Sequence, residues 1–193
     1  MKSNKSLIIT LLVLIVLAAL YRIIPNRPPG FAPQIAMALF GGAMIKDKKW
    51  AFALPVFSMF LSDVLYQALF AAHLSTIPGF YEGQWLNYSL FAGITLLGFT
   101  LKRITVLRVA GYSLLGPTLF FLLSNAYYWL TVGIDVQTGL PLNKSFSGLV
   151  LSYRQGIPFY RGSLIATVVF SAILFGGYYL ITSNSTKAKA VQA

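Results

Sequence analysis

Few side chains in this 193-residue chain could do chemistry, and those that could stand in unusual company. Asp63 lies in "FSMFLSDVLYQ", Asn125 in "FFLLSNAYYWL", and Arg22 at the end of a long apolar run. All three fall inside segments that otherwise read as lipid-soluble helix. A charge within hydrocarbon is costly and usually marks a function or a buried pair. Counted along a helix, Asp63 comes about 20 Å past Trp50, Asn125 about 24 Å past Val109 and Arg22 about 22 Å past Leu7. The three therefore share nearly one depth, in the outer half of a membrane. Ser58, Ser62 and Gln67 add weaker polar character around Asp63, and Ser124 and Tyr128 add it around Asn125. Two arrangements account for this: a polar pocket open to the outside, or an Asp63–Arg22 ion pair with Asn125 as interhelical glue.

Further arginines stand just above that level. Arg27 sits in the proline cluster "RIIPNRPPGFAP", and Tyr153, Arg154 and Arg161 lie in or beside the segment Ile134–Tyr160. That segment is longer than an ordinary connection, and such loops are commonly lids or binding loops. Arginine is suited to bidentate, partly buried pairing. The candidate substrate-binding residues are thus Arg22, Arg27, Asp63, Asn125, Tyr153, Arg154 and Arg161. His73, Trp85 and Trp129 read instead as residues of the membrane interface.

Catalysis has little to work with. The chain has four acidic residues, one histidine and no cysteine. It contains no carboxylate pair, metal-ligand cluster, nucleophile elbow or phosphate-binding loop. No catalytic residue, metal or cofactor is assigned, and the chain is expected not to be an enzyme. Asp63 is the single acid on which a lipid-active enzyme could be built.

The elements that must position these residues follow from composition. Hydrophobic residues make up 57% of the chain and charged ones 10%, well below the ~25% charged of a soluble domain. Such a chain cannot cover a water-facing surface, so an all-α integral membrane protein is predicted. Its net charge of +11 is spread in short clusters between apolar runs, which flank membrane segments and form no nucleic-acid footprint. The apolar runs predict one membrane domain, 1–193, with six transmembrane helices at 7–24, 31–45, 50–72, 86–101, 109–133 and 161–182. An outer loop over 134–160 and a flexible tail over 183–193 complete it. The second helix is short and interrupted by Pro33 and Gly41-Gly42, so a re-entrant second segment, leaving five spans, is the alternative. No internal repeat stands out. Eight of the nine lysines fall on the side of the N-terminus, which predicts both termini in the cytoplasm.

The stretch "RIIPNRPPGFAPQIAMALFGGAMIKDKKWAFALPVFSMFLSDVLYQ" resembles the first three helices of the substrate-binding (S) components of energy-coupling factor transporters. With "FFLLSNAYYWL" and "GLVLSYRQGIPFYRGSL", it resembles more closely an uncharacterised family of small bacterial membrane proteins of transport type. The resemblance implies a bacterial inner-membrane protein with an outward pocket for a small anionic or vitamin-like solute. It also implies separate energy-coupling transmembrane and ATPase subunits as partners. The first helix lacks the Ala-x-x-x-Ala spacing of S components, whereas the second carries Ala32/Ala36 and Ala38/Gly42. The expected function is the substrate-binding component of a transporter, with a ligand-free accessory membrane protein as the alternative.

Overall fold

The computed structural model describes the backbone of residues 2–191 and the side chains of residues 8–183. Six helices follow one another: α1 (Lys2–Arg22), α2 (Gln34–Met44), α3 (Lys48–Ala71), α4 (Gln84–Phe99), α5 (Val106–Leu130) and α6 (Phe146–Val191). The all-helical expectation holds among the described residues. Local chemistry explains several boundaries. Asp47 caps α3 by accepting from the Lys49 N–H at 2.9 Å, and Thr105 caps α5 by accepting from the Arg108 N–H at 3.4 Å. The proline cluster beyond Arg22 stops α1, since a residue before proline is pushed out of the helical region.

Six spans are not supported. Among the described residues, three helices are long and apolar enough to cross a membrane: α3, α5 and the 146–183 part of α6. Crossing the hydrocarbon takes about 20 apolar residues. The 11 residues of α2 reach only about 16 Å and the 16 of α4 about 24 Å. Of α1, the apolar stretch among the described residues is Ile8–Arg22, shorter than that length.

The two short helices form the middle of the bundle. Nearly every residue of α2 is buried, and it packs against α3, α4, α5 and α6. A helix that is apolar all round is expected to be enclosed by other helices or lipid, and here protein encloses it. One core cluster joins Leu11, Ile15 and Ala18 of α1 to Met37 of α2 and Leu54 of α3; a second joins Ile35 and Leu39 of α2 to Met59, Phe91 and Ile94. Where α2 crosses α4 their backbones nearly touch: a Cβ on Gly98 would lie 2.7 Å from the Leu39 carbonyl oxygen and 3.0 Å from the Gly42 Cα.

Each short helix is entered through a segment that doubles back. Residues 23–33 turn through Gly30 (φ +73°), where a side chain would overlap the Phe159 carbonyl of α6. The Ser163 hydroxyl donates to the Gly30 carbonyl at 3.0 Å. Residues 72–83 fold along α3, and the Gly79 N–H donates to the Gln67 side-chain oxygen at 3.1 Å. Helix α6 begins at Phe146, inside the segment expected as a loop, because "FSGLVLSYRQGIPFY" holds no breaker that stops it; Pro158 is accommodated within the helix. The tail expected to be flexible is helical through Val191, and residues 192–193 lie outside the described residues.

Candidate functional site

Asp63 is 1% exposed and its carboxylate is fully engaged. Oδ1 accepts from Arg22 Nη1 in an ion pair, and Oδ2 accepts from Gln84 Nε2 and from the Tyr88 hydroxyl at 2.5 Å. Arg22 is fixed from several sides. Its Nη1 also donates to the Ser62 hydroxyl at 2.5 Å, its guanidinium lies 5.6 Å from the centre of the Tyr66 ring, and the Tyr66 hydroxyl donates to its carbonyl at 2.8 Å. Gln84 is held in turn by the Gly79 carbonyl at 3.1 Å. Helix α4 therefore starts at the depth of Asp63, about 12 Å short of the end of α3. The cluster is a closed clasp between α1, α3 and α4, with every carboxylate oxygen occupied.

A separate cleft of about 320 Å³ opens between the start of α4, the second half of α5 and α6. Its walls include Tyr81, Glu82, Asn87, Ser124, Asn125, Tyr128 and Phe159. Asn125 is braced here: its Nδ2 donates to the Phe121 carbonyl at 2.8 Å, the Ser152 hydroxyl donates to its own carbonyl at 3.0 Å, and its carboxamide lies against Gly156. No donor reaches Asn125 Oδ1 among the described residues. Asn87 donates to the Tyr81 hydroxyl at 2.5 Å at the rim. The cleft thus offers a free amide oxygen, hydroxyls and aromatic faces, a lining suited to a flat solute of mixed polarity. A second groove of about 570 Å³ runs between α3 and α4, walled by Phe57, Phe60, Phe80 and Trp85 with Gln84 and Tyr88 within it.

The seven sequence-derived residues divide among several places. Arg22 and Asp63 form the clasp, and Asn125 lines the cleft. Arg27 donates to the Phe31 carbonyl just ahead of α2. Tyr153 donates to the Leu122 carbonyl at 3.1 Å and packs on Phe121, on the seam between α5 and α6. Arg154 and Arg161 are exposed, line neither opening and make no hydrogen bond or ion pair among the described residues. The segment 131–145 is ordered by Asp135, which accepts from the Gln137 N–H at 3.0 Å, the Thr138 hydroxyl at 2.9 Å and Gln155 Nε2 at 2.5 Å. Those bonds, the Gln137 N–H first, hold its carboxyl below the ordinary aspartate range. Sequence reasoning missed Gln84 and Tyr88. Their spacing of four residues places both on one helix face, but nothing local shows that this face meets Asp63.

Among the described residues, the fold and site define an all-helical protein with three helices long and apolar enough to cross a membrane and a polar cleft at one end. The chain belongs to a family of unknown function (DUF6580), whose profile matches residues 2–190. No curated protein and no solved structure matches the chain.

Proposed function

We propose that this protein is a membrane-embedded solute-binding protein, the substrate-binding component of a transporter. The observation that carries this reading is the cleft beside Asn125, whose volume of about 320 Å³ falls within the usual range for small-ligand sites. Its tyrosines would lie against a vitamin-like body, and Asn125 Oδ1 would accept a hydrogen bond from it. The cleft lies at the end of the bundle opposite Lys46–Lys49 and Lys102–Arg108. The lysine bias would place that basic end and both termini in the cytoplasm, leaving the cleft to face outward. The chain carries no nucleotide-binding motif, so separate transmembrane and ATPase subunits would drive movement across the bacterial inner membrane. In mild detergent, one member of a vitamin panel is expected to raise the Tm of the wild type. Asn125→Leu should remove that shift while leaving the ligand-free Tm within a few degrees. Unchanged melting across the panel overturns the proposal.

One observation favours a second reading, an accessory membrane protein without a ligand. The clasp at Asp63 is closed, so the most buried charge in the bundle serves assembly.

A further inference from the structure

The start of α2 lacks its partners. Helix α2 begins inside the protein, with Gln34 only 2% exposed, and Pro33 at its cap supplies no side-chain bond. The N–H groups of Gln34, Ile35 and Ala36 have no acceptor among the described residues. Both Nε2 and Oε1 of Gln34 are buried without a hydrogen-bond partner, and so is Nε of Arg27. Side chains lean toward the N-terminus of their helix, which carries the Gln34 side chain toward the start of α2. The Arg27 guanidinium is tethered to the Phe31 carbonyl, two residues ahead of the cap. Among the described residues its charge has no acidic partner. Of the four acids, Asp63 is taken by Arg22, Asp47 caps α3 at the other end, Asp135 orders its own loop, and Glu82 stands at the cleft.

Buried polar groups are almost always hydrogen-bonded. Unpaired donors, a fixed positive charge and the positive end of a helix together describe the receiving half of an anion site. In many secondary transporters, half-helices that start within the membrane point their N-termini at anionic substrate groups. Neither Gln34 nor Arg27 lines the cleft, but the segment that carries them backs onto its wall. Gly30 packs on the Phe159 carbonyl, and Phe159 lines the cleft. Ile35 lies against Gly116, one turn along α5 from Phe120, another cleft residue.

We infer that the first turn of α2, with Gln34 and Arg27, receives the carboxylate of the solute whose body occupies the cleft. The inference rests on the solute-binding reading and names the charged group that such a solute carries. The Gln34 Nε2 and the α2 N–H groups donate to the carboxylate, and Arg27 balances its charge.

The test pairs 3-phenylpropionate with its neutral amide, 3-phenylpropionamide, in detergent-solubilised full chain, with apparent affinity read from the rise in Tm. In the wild type the acid is expected to bind more tightly than the amide. Gln34→Leu should weaken the acid about tenfold or more, the scale of a lost hydrogen bond to a charged group. It should leave the amide unchanged, and the ligand-free Tm should stay level or rise because an unpaired buried amide is gone. Equal binding of acid and amide, both lost in Asn125→Leu and neither altered in Gln34→Leu, overturns the carboxylate site and leaves the cleft standing. A ligand-free Tm several degrees lower in Gln34→Leu shows that the amide already has a partner inside the protein, and overturns it too. Binding of neither compound overturns the carboxylate site, while the solute-binding reading stands or falls on the vitamin panel.

Discussion

Asp63 illustrates how far single residues can be read. A count of residues along three helices placed Arg22 and Asp63 at one level, and the structure joins them in an ion pair. Asn125, counted to the same level, lines a different opening. Depth is legible because a helix has a fixed rise; azimuth is not, because it depends on which helices become neighbours. Gln84 and Tyr88 escaped notice for a related reason. Their approach to Asp63 requires residues 72–83 to fold back, and the turn at Gly79 that permits this looks in the sequence like any loop glycine. The clasp makes a specific prediction. Asp63→Ala leaves Arg22 without its counter-ion, and Arg22→Ala leaves Asp63 charged and buried. Each should lower stability by about 3–5 kcal/mol. The double variant should lose clearly less than the sum, and a double-mutant cycle in denaturant titrations of the detergent-solubilised protein measures the difference. Additive losses would show that the two side chains act independently.

At the scale of elements, the existence, order and most limits of the helices were legible from apolar runs and their punctuation. The small-residue spacing Ala38/Gly42 stood out in the second helix, and these residues meet Gly98 of α4. The start of α6 was not legible, because the interfacial arginines and tyrosines of 150–161 are equally compatible with a loop and with a helix end. The α2–α4 crossing depends on its small residues. Gly98→Leu should force the two backbones apart and cost about 1–3 kcal/mol, in the range of overpacked cores. Gly93, on the same helix, has nothing within 4 Å of a would-be Cβ. Gly93→Ala should be neutral or stabilise by about 0.5–1 kcal/mol, because alanine is the better helix former. Thermal melts of the two variants side by side separate a packing effect from general intolerance of α4.

For the whole molecule, the shortage of charge pointed to a membrane protein, with which three helices long and apolar enough to cross are compatible among the described residues. The number of spans was not legible. Hydropathy marks α2 and α4 as apolar, and it cannot tell a short helix enclosed by protein from a short helix in lipid. Orientation is open to a direct test, since the chain has no cysteine of its own. With the lysine-rich end in the cytoplasm, Thr138→Cys should react with an impermeant maleimide on intact cells, and Lys49→Cys only after permeabilisation. The reverse pattern would invert the topology. The enclosure of α2 also bears on how the protein is made. Gly30, at the entrance to α2, is braced by Ser163, which lies 133 residues further along the chain. At ~5–20 residues per second, the ribosome needs on the order of 10 s to supply that brace. During that interval α2 lacks α6, one of the four helices that enclose it. The central helix of the bundle is therefore among the first parts synthesised and among the last to be fully enclosed.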